Sequence, residues 1–429
     1  MTTFALLSLI LSLAALFGLL SYRVLRLPTS IGTTILTLAS AGVILGVGRA
    51  APGFQAAAAR IVSGIDFNAV VLHGMLAFLL FAGAMGLDLE ELRRQKLAVV
   101  ALSIGATVIS TVVVGLLLRW ALAVAGVPLS LLGSLLFGAL ISPTDPIAVL
   151  EMLRRVGAPR TLEAQLAGES LFNDGVGAVI FVALLEASTT GALPTPMRFA
   201  GLLLLKSLGA IAIGGALGWI AHRLLLLVND YKVEVVLTLA VAMGGYALAD
   251  VLQLSAPIEA VVAGLLMGGP IRELAMSPRT QEHVDTFWEL LDDILNVVLF
   301  LLLGMELLVL PIEGRYLIAG LLAVPVVLVA RLLSVWSTVR GLGYFQAIGK
   351  GTVTVLTWGG LRGGLAVALA LALPRTMRAE RSLLLVATYV VVVFSILVQG
   401  LTIQPLLRRM GLGSAESRVA GEVAVGLGK

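Results

Sequence analysis

Leu140-Ile141-Ser142-Pro143-Thr144-Asp145-Pro146 is an apolar run broken at its centre by two prolines that bracket a carboxylate. Shortly after it, Gly168-Glu169-Ser170-Leu171-Phe172-Asn173-Asp174-Gly175 puts further acids into another apolar run. A carboxylate near mid-bilayer costs about 2.5–3.5 kcal/mol on insertion scales, so one that is retained marks a functional site. Proline lacks an N–H and interrupts a helix, which frees backbone carbonyls able to hold a cation. Together the two stretches point to a membrane protein that handles a cation.

Composition agrees with that reading. Of 429 residues 59% are hydrophobic and only 13% charged, which describes a polytopic membrane protein whose main partner is the lipid bilayer. The net charge of +4 is small, and the basic residues sit in short loops. They read as topology signals, so no nucleic-acid partner is expected. The absence of cysteine excludes disulfides and thiolate metal sites. The first apolar run is followed, not preceded, by Arg23 and Arg26. That is the reverse of a cleaved signal and predicts a retained first span with its N-terminus outside.

About thirteen runs approach the roughly 20 residues that a helical crossing needs. They lie near 3–21, 29–48, 68–87, 97–118, 129–151, 165–187, 199–221, 233–250, 256–270, 287–310, 316–339, 351–373 and 382–405. The fold class is therefore all-α and polytopic. Loops after odd-numbered spans carry most of the positive charge: Arg23 and Arg26; Arg93, Arg94 and Lys96; Arg154, Arg155 and Arg160; Arg223 and Lys232; Arg272 and Arg279; Arg340 and Lys350; and Arg408, Arg409, Arg418 and Lys429. Opposite loops hold fewer, Arg49, Arg60, Arg119, Arg198 and Arg315 among them. The bias places the C-terminus in the cytoplasm. One loop dissents, with Arg375, Arg378 and Arg381 on the predicted outer side.

Two spans are interrupted at mid-length. Span 5 contains Pro143-Thr144-Asp145-Pro146, and span 12 contains Trp358-Gly359-Gly360-Leu361-Arg362-Gly363-Gly364, whose glycines favour unwound backbone. They lie an odd number of spans apart and so cross in opposite directions. That is the arrangement of an inverted repeat whose broken helices meet at the midplane.

In span 6, spacings of three and four put Glu169, Ser170, Asn173 and Asp174 on adjacent faces of one helix, turned away from lipid. Sodium is a hard cation that takes oxygen ligands. Asp174, Ser170, Thr144 and carbonyls freed near Asp145 supply them. A carboxylate withdrawn from water also holds a proton more readily, so one site that takes either ion suffices for coupled exchange. Ser170 and Thr144 serve equally well as glue between helices. Arg362, a cation among glycines, requires a buried partner, and Glu169 is the first choice, which makes Glu169 structural. Lys206 and Arg331 are further cations inside spans. Asn173 is expected to bond broken-helix backbone.

Span 10 opens with Phe287-Trp288-Glu289-Leu290-Leu291-Asp292-Asp293, read as a solvated interfacial cluster with Trp288 in the aromatic belt. Glu306, near Pro311, is expected to snorkel outwards. Glu259, Lys206 and Asp250 read as funnel lining or interhelical pairs, and His73 as a satisfied core residue.

Ser142-Pro143-Thr144-Asp145-Pro146, the Glu169–Gly175 stretch and Thr357-Trp358-Gly359-Gly360-Leu361-Arg362-Gly363 resemble the three signatures of monovalent cation:proton antiporters. The sodium/proton exchanger branch, and its NhaP-like prokaryotic members, are the most similar. Phe287-Trp288-Glu289 through Gly304-Met305-Glu306, and Ala260-Val261-Val262-Ala263-Gly264-Leu265, extend the resemblance over nearly the whole chain.

The resemblance implies a homodimeric secondary antiporter of a prokaryotic inner membrane, not an enzyme and without a cofactor, exchanging sodium or lithium for protons by elevator-type alternating access. It implies a dimerisation domain from 1–96 and 191–310, a transport core from 97–190 and 311–408, and a short cytoplasmic tail at 409–429. It places the cation on Asp174 with Ser170 and Thr144, gives Asp145 to the crossed helices, and pairs Glu169 with Arg362. The Asn173-Asp174 pair implies electroneutral, one-for-one exchange.

One departure stands out. Many relatives carry Glu within Phe-Glu-Gly-Gly in span 3, where this chain has Phe81-Ala82-Gly83-Ala84, so position 82 supplies no oxygen. A potassium/proton antiporter on the same scaffold is the alternative. An intramembrane aspartyl protease is a distant one, giving no role to Arg362, Glu169 or the second broken helix.

Overall fold

The computed structural model describes residues 2–48, 50–190, 195–311, 313–343 and 351–411. Arg49, Lys350, Arg418 and Lys429, counted among the loop charges, lie outside them, as does most of the tail. The described residues are helical throughout, the only strand-like pairing being a single antiparallel bridge between Asp145 and Leu361.

Among the described residues, eight helices are long and apolar enough to cross a membrane, and three shorter apolar ones accompany them. In chain order the helices are α1 (Thr3–Leu20), α2 (Thr29–Gly48), α3 (Pro52–Ser63), α4 (Ala69–Met85), α5 (Lys96–Val124), α6 (Leu131–Ile141), α7 (Ile147–Val156) and α8 (Arg160–Thr190). There follow α9 (Pro196–Leu225), α10 (Tyr231–Val251), α11 (Ala256–Gly269), α12 (Pro278–Met305), α13 (Gly314–Leu342), α14 (Thr352–Gly359), α15 (Gly364–Leu371) and α16 (Glu380–Arg409). Each predicted span has a helical counterpart, with spans 5 and 12 split into α6/α7 and α14/α15. The short helix α3 falls between predicted spans; its Ala-rich segment was too short and polar to read as a crossing.

Helix ends follow local chemistry. Ser130 caps α6 by accepting from Gly133 N–H at 2.9 Å, and Glu380 accepts from both the backbone N–H and hydroxyl of Ser130 at 3.1 Å. The start of α16 is thereby tied to the start of α6. Gly157 takes a φ of +67° to stop α7, a conformation that favours glycine.

Packing sorts the helices into two groups. In one, α5 lies between α6 and α13, α13 packs on α16, and α7 and α15 pack against α16. In the other, α12 packs on α2, α4 on α11, and α9 and α10 flank α11. The seam between them runs along α8 and α11, where Ser255 Oγ donates to Gly175 O at 3.4 Å. Inside the bilayer no hydrophobic gain accrues from burying apolar surface against another helix, so close approach through small residues holds such pairs. At Gly138 a Cβ would fall 2.2 Å from Thr111 O, and at Gly268 2.1 Å from Met85 O.

The exceptional Arg381 is also explained here. Its guanidinium donates to Leu373 O at 2.8 Å and Leu371 O at 3.1 Å, at the C-terminal end of α15. It satisfies carbonyls that the half-helix leaves open and complements the negative end of its dipole, a task distinct from signalling topology.

Gly138→Ala and Gly268→Ala are expected to cost about 1–3 kcal/mol each, because backbone must move apart at both places. Gly42→Ala, where nothing lies within 4 Å, should leave the melting temperature in detergent unchanged. Equal melting of all three would refute the close-packing account.

Candidate functional site

The two interrupted spans meet at their breaks. Asp145 N–H donates to Leu361 O at 2.9 Å, which is the one backbone bond between them. The Asp145 carboxylate accepts from Ile147 N–H at 3.1 Å at the start of α7. Its other face lies against Gly363, where a Cβ would come within 2.2 Å of Oδ2, so it also abuts the start of α15. One anion thus serves two positive helix ends.

Four carbonyls at the end of α14 and in the break after it are taken up. Leu356 O accepts from Arg331 at 2.9 Å, Trp358 O from Gln399 at 3.0 Å, Gly359 O from Leu361 N–H at 2.8 Å and Gly360 O from the Arg362 guanidinium at 2.8 Å. Arg362 N–H donates to Ser395 Oγ at 2.9 Å, and that hydroxyl donates on to Gln399 Oε1 at 2.7 Å. Two guanidiniums near the negative end of a half-helix are electrostatically in place.

The opposite wall is α8. Asn173 reaches across to the break with both ends of its amide: Oδ1 accepts from Thr144 N–H at 3.2 Å and Nδ2 donates to Thr144 Oγ1 at 2.9 Å. Thr144 Oγ1 and Ser170 Oγ are 2.9 Å apart. All three side chains are buried. The carboxylate of Asp174 differs from Thr144, Ser170 and Asn173, for no hydrogen-bond donor engages it among the described residues. It lines a cavity of about 720 Å³ together with Thr144, Asp145 and Ser170. The same cavity is lined by Glu151, Arg154 and Arg155, and by Asp285, Glu289, Asp292 and Asp293 of α12. It therefore reaches the C-terminal end of α7, where Arg154 and Arg155 stand. Ala82 lines it without an oxygen.

Residues 10–409 match the family described as sodium/hydrogen exchanger, transmembrane. The chain is 42% identical to the Na(+)/H(+) antiporter NhaP of Pseudomonas aeruginosa, over 96% of this chain and 97% of that one. It is 34% identical to the Na(+)/H(+) antiporter NhaG of Bacillus atrophaeus, over 89% and 71% respectively. The chain belongs to the sodium/hydrogen exchanger family. The exchanger also shares its fold with the sodium proton antiporter MjNhaP1 of Methanocaldococcus jannaschii, with a TM-score of 0.73 at 21% identity, over 94% of this chain and 97% of that one.

The ion pair of the exchanger's core differs from the sequence expectation. Glu169 is clasped by both terminal nitrogens of Arg331, not by Arg362. Arg331 comes from α13, and the missing side chain at Gly360 lets it through, since a Cβ there would lie 2.6 Å from Arg331 Nε. Arg362 is held at longer range by the Glu169 charge and leaves its Nε without a partner among the described residues. The sequence carried a signal for this. Two cations inside spans competed for one buried glutamate, and the argument from burial cost applied to Arg331 as strongly as to Arg362.

Other positions also moved. Trp288 is 1% exposed and not a belt residue; it stacks on Phe81 at 4.6 Å and donates to Thr238 Oγ1 at 2.9 Å. Glu306 is buried, where snorkelling was expected. His73 is turned to the protein's surface, 3.9 Å from the exposed Asp250, and is no core residue. Glu259 is fully buried, with neither carboxylate oxygen partnered among the described residues, and Lys206 is half-buried.

Removing one partner of the buried pair strands the other. Arg331→Gln is thus expected to destabilise by about 3–5 kcal/mol, and Glu169→Gln added to it should restore part of the loss. Thermal melting of Arg331→Gln beside Arg362→Gln checks this; a larger loss in Arg362→Gln would reinstate the other pairing.

Proposed function

We propose that this exchanger carries sodium on Asp174, with Ser170 and Thr144 as further oxygen ligands, and that a proton competes for the same carboxylate. Sodium:proton antiport as the activity follows from the family and from relatives matched over nearly their whole length. The observation that carries the site is the contrast around Asp174. Thr144, Ser170 and Asn173 are bonded to one another, whereas this carboxylate is open to the cavity beside two hydroxyls that touch at 2.9 Å.

The cycle runs as follows. Sodium enters from the cytoplasmic side, drawn by the acids of α12, and meets an oxygen cage with no nitrogen or sulfur in it, as a hard cation requires. Its arrival displaces the proton, because burial makes one charge on Asp174 tolerable only when neutralised. One carboxylate then carries one sodium or one proton, which makes the exchange electroneutral. Asn173, bound to Thr144 at both ends of its amide, keeps α8 and the break in register while the load changes. Asp145, Glu169, Arg331 and Arg362 hold the crossing together and are not emptied during transport.

The two helix groups supply the moving parts. The group of α5–α8 and α13–α16 is the transport core, and that of α1–α4 and α9–α12 is the static, dimerising part, with an elevator-like slide along the seam of α8 and α11. In this reading the N-terminus faces outwards, the C-terminus is cytoplasmic, the functional unit is a homodimer in an inner membrane, and the cavity is the inward-facing state.

Addition of sodium, lithium or potassium to acid-loaded proteoliposomes tests the proposal through internal pH. Sodium should alkalinise the lumen with wild type, and Asp174→Asn should abolish the response while melting as a folded protein. Half-saturating sodium should rise about tenfold for each pH unit in the acid limit, where one proton must leave for each cation bound. A half-saturation independent of pH would refute a shared site. A response to potassium alone would transfer the mechanism to that ion.

A further inference from the structure

Away from the transport site, Tyr22, Arg23, Arg26 and Leu27, just beyond α1, and Arg155, near the end of α7, line a second cavity of about 420 Å³. That volume lies within the range of small-ligand sites, about 300–1,000 Å³. Its three arginines are exposed, so it is reached from the surface. The side chains of Arg23 and Arg26 have no hydrogen bond or ion pair among the described residues. Arg155 is paired with Glu151, one turn before it. Both members of that pair also line the cavity that contains Asp174. One ion pair therefore links the two cavities. The second cavity also spans the two helix groups, with α1 in one and α7 in the other.

We infer that this cavity binds the phosphate of an anionic phospholipid, and that the bound phosphate draws Arg155 away from Glu151. The planar guanidinium matches a phosphate with paired donors, and three of them line one space. Three cations against the single carboxylate of Glu151 leave an excess of positive charge, which a phosphodiester offsets. The surroundings favour a lipid over a soluble anion. Tyr22 is 77% exposed and is flanked by the exposed Leu19 and Val24, at the end of an apolar span and so at headgroup level. Basic pockets at such ends take anionic headgroups. The pair to be displaced is weak, because an exposed Glu–Arg pair four residues apart is screened by water. Glu151, once released, adds a negative charge at the ion cavity and attracts the entering cation. The lipid site stands apart from transport, while its effect on sodium rests on the exchange reading above.

Native mass spectrometry of the detergent-purified protein, titrated with phosphatidylglycerol, phosphatidylcholine or inorganic phosphate, tests the site directly. Phosphatidylglycerol should bind at the lowest concentration. Arg23→Gln and Arg26→Gln should each weaken that binding about fivefold, the factor for one cation at an anionic headgroup. Arg408→Gln, exposed but outside the cavity, should weaken it less than about twofold. In proteoliposomes, phosphatidylglycerol added to phosphatidylcholine should lower half-saturating sodium about twofold more in wild type than in Glu151→Gln. That comparison separates the released carboxylate from the general surface potential of the membrane. Glu151→Gln should still bind the lipid.

Equal binding of the two lipids would overturn the site. So would a loss in Arg408→Gln as large as that in Arg23→Gln, since the basic residues would then act as a diffuse field. Inorganic phosphate binding as tightly as phosphatidylglycerol would replace the lipid by a soluble anion. An equal response of wild type and Glu151→Gln to the lipid would overturn the displacement of Arg155. Thermal melting identifies any variant that fails to fold, and the two arginine substitutions are independent of each other. A wild type that exchanges no cation would sink the exchange reading, while the lipid titration would still decide whether the site exists.

Discussion

The 2.9 Å bond from Asp145 N–H to Leu361 O is the constraint on which the rest depends. A bilayer offers no water to satisfy unwound backbone, so two helices broken at mid-membrane are tolerable only if each settles the other's open groups. A single backbone pair cannot do this alone. Four carbonyls at the end of α14 and in its break are shared among Arg331, Gln399, Leu361 and Arg362, and Asn173 covers the first break from α8. Three further helices, α8, α13 and α16, are thereby bound to the crossing. The core is stiff there because relaxing any one contact would leave a polar group bare in a medium that cannot hydrate it.

The same crossing sets the charges. Asp145 lies at the positive starts of α7 and α15, whereas Arg331 and Arg362 lie at the negative end of α14. Glu169 then neutralises Arg331 directly and Arg362 at longer range. A buried pair of this kind adds little net stability over an apolar core, but it is expensive to break. Its value to a transporter is fidelity: the crossing has one arrangement, and the charges belonging to structure are kept apart from the charge that binds cargo.

Much of this was legible in the sequence. Helix content and the spans followed from hydropathy, because lipid imposes the same requirement on every crossing. The breaks were visible because proline and glycine act locally. The tie between Asn173 and broken backbone followed from the rule that such backbone needs a partner. The Arg331–Glu169 pair was not legible, since choosing between two arginines needs the rotation of α13 about its axis, which its apolar pattern leaves open. Gly360 held the clue, but a glycine in a glycine-rich break reads as flexibility before it reads as space for a guanidinium. Trp288 failed for a similar reason. An aromatic next to acids looks interfacial from its neighbours in sequence, and only the packing of α12 on α4 reveals that it faces inwards while Glu289 faces out. Arg381 misled the charge count because a helix that stops inside a protein recruits cations to its end, whichever side of the membrane it faces.

What separates Asp174 from the crossing is an unbonded carboxylate that faces a cavity. Natural proteins satisfy buried polar groups almost without exception, so a group left open inside this one is informative where a bonded one is not. Asp145 is a half-buried carboxylate held by Ile147 N–H at the start of α7 and set against Gly363 at the start of α15, a structural place in the crossing. Asp174 has the same chemistry and no commitment. A carboxylate can alternate between proton and cation only if neither state must break a structural bond to form. Building the crossing so completely from other residues is what leaves Asp174 free to do so.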